Sequence, residues 1–189
     1  MKDVCTFLLC TILAMSVSTT ARAVEYKAIQ LEKSNVTFQY KQMGVAMDGR
    51  FKKFAAQLIF DPTKPAFAKA EIEIDLASVD AGSTDADDEV VGKNWFNVKG
   101  FPKAMFVAKH IKATGANQFE VAGVLTIKSK SQDIKFPLKL TTQGNAALFS
   151  GGFVMHRADF AIGEGMWAKF DVVANDIQVN FQLSAISGK

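Results

Sequence analysis

The residues of this 189-residue chain with the most chemical potential are an acidic run, Asp85, Asp87, Asp88 and Glu89, and two isolated histidines, His110 and His156. Four carboxylates so close together could hold a hard cation. A calcium loop, however, needs alternating ligands, a central glycine and a distal glutamate, and the run lacks that order. The acids fit the positive end of a helix better, with Ser83, Thr84 or Asp85 as its cap. Neither histidine has the HxH or HxxxH spacing that would give zinc a second ligand. No oriented nucleophile stands beside either of them, and no GxSxG, phosphate-loop or dinucleotide fingerprint occurs. The expectation is a chain that is not an enzyme and carries no metal and no cofactor.

Apolar residues carry the stronger signal. Fifteen of the 16 phenylalanines lie beyond residue 23, whereas only Tyr26 and Tyr40 offer a phenol. Rings on that scale imply a large, dry interior. A barrel of about eight strands can fill its middle with such rings or hold one small ligand. The small residues Ala56, Ala70, Ala104, Ala108 and Gly123, interleaved on the same faces, favour space left over.

The elements that must position these rings are strands. Period-two alternation places Val36, Phe38 and Tyr40 on one face, then Ala70, Ile72 and Ile74 opposite Glu71, Glu73 and Asp75. It returns in Phe119 to Ile127, in Ile134 to Leu140, and in Ile177 to Leu183. Turn residues at 61–65, 114–117, 128–132 and 143–145 separate these runs. Short turns between regular strands predict an antiparallel meander whose edges must be paired or covered, as they are in a closed barrel. Pro137 denies its strand one ladder donor and marks an edge, a bulge or a strand end. Gly44, Gly49 and the Phe51/Phe54 spacing predict a bent strand between Val45 and Phe60. The exception to β is 85–98, where Val90, Val91 and Trp95 recur at helical spacing, so one or two short helices are expected there. Gly100 and Pro102 stop them before a strand from Lys103 to Ala113.

Residues 1–23 read as a cleaved signal peptide: Lys2 precedes an apolar run from Val4 to Val17, too short to span a bilayer, and Ala21-Arg22-Ala23 offers a cleavage site. The expected location is therefore the periplasm, with 24–189 as one domain. Both cysteines, Cys5 and Cys10, fall inside the signal, which removes disulfides and thiolate chemistry from the exported chain. Beyond residue 23 there are 20 basic and 18 acidic side chains. Such a balance, with no basic stripe, excludes nucleic acid as a partner.

The stretch from Asn94 to Phe106, NWFNVKGFPKAMF, resembles the YceI-like family, whose members show WFDV-x-x-FP-x-A-x-F at this point. Other pieces follow in the family's order: Gly49-x-Phe51-x-x-Phe54, Ile59-Phe60-Asp61-Pro62, Ile74-Asp75-x-x-Ser78-Val79-Asp80, Val121-x-Gly123-x-Leu125-Thr126-Ile127, and Arg157-x-Asp159-Phe160-x-Ile162-Gly163-x-Gly165-x-Trp167. Ser129, Ser131, Ala161 and His156 depart from the pattern. The resemblance implies an extended, lipocalin-like, all-β antiparallel barrel in an exported bacterial protein, with a pore that in some members holds a polyisoprenoid. It also implies, for some relatives with this ending, company with diheme b-type membrane cytochromes, which suits a quinone-like ligand.

The function expected is non-covalent carriage or sequestration of an isoprenoid or prenyl-quinone-like chain, in a stress-related setting. The pore residues expected are Phe38, Tyr40, Phe60, Ile72, Ile74, Trp95, Phe96, Phe106, Leu125, Phe136 and Phe181, with Arg157 and Asp159 at the rim or joined in an ion pair. The alternatives are a filled barrel that docks on a membrane partner such as a b-type cytochrome, and an enzyme acting on a bound lipid. The oligomeric state stays open, a homodimer among the options.

Overall fold

A computed structural model describes residues 24–188; the expected signal segment lies outside the described residues. Eleven antiparallel strand segments follow in chain order: β1 (Tyr26–Ile29), β2 (Asn35–Gln42), β3 (Val45–Phe51), β4 (Phe54–Ile59), β5 (Lys69–Asp75), β6 (Val79–Asp80), β7 (Lys103–Gly115), β8 (Gln118–Ile127), β9 (Lys130–Gln143), β10 (Ala146–His156) and β11 (Asp176–Ser187). One α-helix, α1 (Thr84–Val90), lies between β6 and β7.

Eleven segments make eight passes of the chain. β3 and β4 are one strand bent at Lys52-Lys53, and β5 and β6 are one strand interrupted by a single 3-10 turn over Leu76–Ser78. At the bend, the Lys52 and Lys53 amides donate to the Ser78 carbonyl and hydroxyl at 3.0 and 2.9 Å. A second such turn, Leu31–Lys33, divides β1 from β2, and both of these pair with β11. The meander closes because β2 pairs with β3, while Tyr26 of β1 exchanges two backbone hydrogen bonds with Phe60, just past β4. The expected strand number was therefore right for passes of the chain, and the bend between Val45 and Phe60 is where the glycine and phenylalanine spacing put it. Closure leaves every pass with a neighbour on each side, which removes the edge hazard of an open sheet.

Pro137 has the expected effect. β9 and β10 pair only from Gln143↔Ala146 to Leu138↔Gly151, and the ladder ends one residue short of the proline. Beyond it the two strands are joined by the stacked rings of Phe136 and Phe153, 5.5 Å apart, instead of by backbone.

The helix is shorter than expected. It ends at Val90, and 91–100 form consecutive turns, so Trp95 lies outside any helix. Asn97 takes a left-handed φ of 51°, and the Phe96 and Val98 amides return to the carbonyls of Val90 and Val91. Ser83 caps α1, its hydroxyl accepting from the Ala86 amide at 3.2 Å.

Candidate functional site

The two halves of the barrel interior are packed differently. At one end Phe60, with no exposed surface, meets Phe119 and Phe149 edge to face at 5.1 and 5.2 Å, and Tyr26 meets Phe149 in the same way at 5.8 Å. Perpendicular rings interlock and leave no through-passage. The other half encloses a cavity of about 470 Å³, within the range of small-molecule sites.

Glycines make the space. Phe38 lies across the strand from Gly49 and Phe181 across from Gly151, while Phe106 sits diagonal to Gly123. A Cβ on these glycines would fall 2.2, 2.7 and 2.6 Å from the facing ring. Each ring therefore lies flat on bare backbone instead of reaching across the lumen. The same aromatic stock that fills the closed end becomes a thin lining here.

Of the eleven residues expected in the pore, ten line this cavity: Phe38, Tyr40, Ile72, Ile74, Trp95, Phe96, Phe106, Leu125, Phe136 and Phe181. Phe60 does not. Alternation fixed its inward face, but its height along the barrel puts it in the closed half, which pattern alone does not give. Sequence reasoning missed Phe51, Phe153, Met155 and Trp167. Phe51 sits next to the bend that breaks its strand's period. Phe153 and Met155 continue the alternation of Ala147 and Phe149, a run masked by Gly151-Gly152.

Of the expected rim pair, Arg157 lines the cavity and Asp159 does not. Arg157 is 1% exposed, and its five N–H groups reach the carbonyls of Ala174, Ile162, Gly163, Trp167, Lys169 and Val173 at 2.7–3.2 Å. Burial pulls its pKa below the ordinary arginine value. Carbonyl oxygens, rather than a carboxylate, compensate the cation. It gathers the 162–174 segment beneath the cavity mouth and stands over the rings of Trp95 and Phe170 at 5.4 and 5.0 Å. Asp159 is outside the cavity and faces His156 at 3.6 Å, which in turn meets Asp176 at 3.4 Å. No Arg157–Asp159 pair forms, because the two lie two apart on a 3-10 helix, with about three residues per turn, and so point about 120° away from each other.

Two acids do more than cap a helix. Asp87 accepts the Ala81 amide, holding the loop before α1. One oxygen of Glu89 accepts both indole N–H groups, from Trp95 at 3.1 Å and Trp167 at 2.7 Å, and the two rings lie 5.4 Å apart. The motif around residue 95 is thereby tied to the one around 167 through a single carboxylate. Tyr40 donates to the Ala81 carbonyl at 2.9 Å, and its pKa is raised by burial and, second, by the charge of Asp87. His110 is exposed on β7. Among the described residues no three metal-ligating side chains converge.

A family model described as the YceI-like domain matches residues 27–185. The crystal structure of Burkholderia cenocepacia BcnA is 40% identical and superposes with a TM-score of 0.81, covering 83% of this chain and 99% of that one. A UPF0312 protein of Yersinia pestis is 32% identical over 111 residues, 58% of this chain and 57% of the relative. The match therefore spans little more than half the length of that relative. A polyisoprenoid binding domain from Saccharophagus degradans, implicated in plant cell wall breakdown, is 16% identical. It shares the fold, with a TM-score of 0.65 over 88% of this chain and 99% of its own.

Proposed function

The chain belongs to the YceI-like family, and from that premise we propose that it binds an isoprenoid or prenyl-quinone-like lipid in its lumen, as a periplasmic carrier or sequestering protein. The observation that carries the reading is the apolar cavity of about 470 Å³, closed at its inner end by interlocked rings. A blind apolar cavity takes a chain end-on and shields it from water. The solved polyisoprenoid binding domain of the same fold supports that choice of ligand. The periplasmic location rests on the signal pattern of residues 1–23. Binding here needs no covalent step: burial contributes about 0.8 kcal/mol per methylene-sized group, so one isoprene unit supplies on the order of 3–4 kcal/mol before ordering costs.

The test is recovery of the protein from the periplasm of its native host, followed by organic extraction and mass spectrometry, with titration of the stripped protein by a prenyl quinone. Copurifying prenyl lipid and saturable uptake are expected. Empty protein that also refuses the added quinone would sink the proposal.

A further inference from the structure

The polar groups of the cavity are not spread along it. Tyr40, Gln42, Ser83, Asp85, Glu89 and Arg157 are its polar side chains of any length, and contacts join them around one end. Tyr40 bonds the Ala81 carbonyl beside Ser83, Gln42 bridges Val173, Arg157 bonds the Val173 carbonyl, and Glu89 holds Trp167. A lipid entering tail first against the closed end leaves its head group among these residues.

We infer that this mouth selects the charge of the head group: it admits an uncharged, hydrogen-bond-donating end such as a hydroxyl or phenol and rejects phosphate or carboxylate. The inference rests on the lipid-binding proposal and deepens it. Arg157 is the only cation among the lining residues, and all of its donors are already committed to backbone carbonyls. It has no N–H left for a phosphate oxygen, whose recognition depends on a free fork of donors. Lys128 is not among the lining residues and is held by the Ala161 carbonyl and Glu164. Lys41 alternates with Tyr40 and Gln42, both cavity residues, and so faces the other side of β2.

The charged groups with free valences at the mouth are acceptors, and the donors left there, on Gln42 and Ser83, are neutral. Asp85 and Glu89 stand one helical turn apart and line the cavity with Ala86 and Val90, so one face of α1 turns two carboxylates to the opening. Glu89 spends one oxygen on the two indoles, and no bond is made to the other. The phenol oxygen of Tyr40 donates to Ala81 and keeps its lone pairs. A third carboxylate, Asp87, stands close by and, after burial, helps to raise the pKa of Tyr40. A hydroxyl or phenol finds charged acceptors to donate to; an anion meets two like charges, and the donors left to it, the Gln42 amide and the Ser83 hydroxyl, are neutral.

The test compares farnesol, farnesylamine and farnesyl phosphate, which share one hydrocarbon and differ in head-group charge. Each is titrated into the stripped protein by displacement of a fluorescent apolar probe, at 20 mM and 1 M NaCl. The expected order at low salt is amine at least as tight as alcohol, with the phosphate weaker than the alcohol by about tenfold or more, the gap narrowing at high salt. Glu89→Gln and Asp85→Asn, alone and together, should narrow it at low salt. Glu89→Gln keeps a carbonyl oxygen for the two indoles, and circular dichroism checks that each variant is folded. Phosphate binding as tight as alcohol at low salt would overturn the inference and leave the lipid-binding proposal standing, and so would variants that do not change the gap. Failure of all three ligands to bind would remove both.

Discussion

The two ends of this barrel are built from opposite materials. The closed end, around Phe60, Phe119, Phe149 and Tyr26, is held by perpendicular aromatic contacts and two backbone hydrogen bonds between Tyr26 and Phe60. The open end is held by polar groups: Arg157 under the 162–174 segment and Glu89 between two indoles. Apolar packing is strongest where it leaves no space, so it can seal an end but cannot keep one open. Hydrogen bonds of fixed geometry can hold a frame around a void. The contrast explains why a chain this rich in phenylalanine keeps a cavity beside a solid core.

The contrast can be broken most severely at Arg157. Replacing it with Met would take the shared donor from six carbonyls, three of them in fully buried bonds, and a loss of about 3–5 kcal/mol in urea unfolding is expected. Arg157→Lys should recover little of it, since an ammonium lacks the fork that serves so many oxygens. At the closed end, Phe60→Ala should cost about 3–5 kcal/mol, while folded protein still takes up ligand. The lumen counterpart, Phe136→Ala, should cost at least about 1 kcal/mol less, because one side of that ring already faces a void. Equal losses at the two positions would mean that the halves are packed alike.

Gly49→Ala tests how the void is made. The new methyl displaces the Phe38 ring from the wall into the lumen, so stability should fall by about 1–3 kcal/mol and prenyl-quinone uptake by about tenfold or more. Unchanged uptake would show that the ring has somewhere else to go. The smallest effect is expected at Tyr40. Its folded pKa is raised, so the stability tied to the protonated phenol is full below the unfolded value of about 10 and drains away as pH rises through the folded value. Tyr40→Phe should cost about 1 kcal/mol at neutral pH for the lost bond to Ala81 and flatten the unfolding profile above pH 10.

Departures from the family pattern acquire a physical meaning in three dimensions. Lys128, Ser129 and Ala161 all adopt left-handed φ, at 50°, 62° and 53°. Two of these three, Ser129 and Ala161, are positions where the chain departs from the family pattern. The chain keeps the turn without the residue that adopts it most cheaply, at a cost of about 1 kcal/mol for a residue with a Cβ.

By itself the sequence determined which residues face inward on β2, β5, β8, β9 and β11, where the meander turns, that Pro137 disturbs a ladder and that one of Ser83, Thr84 and Asp85 caps α1. These are local properties, decided by side-chain period and by φ, ψ and donor chemistry within a few residues. The tertiary structure alone decided which inward residues meet at the same height. Phe60 and Phe136 carry the same pattern, yet one seals the barrel and the other lines its cavity, because height depends on the register of strands far apart in the chain. It also decided the work of Arg157 and Glu89, whose partners lie up to 78 positions away. An arginine bonded to carbonyls leaves no mark in composition or spacing, since every residue offers a carbonyl.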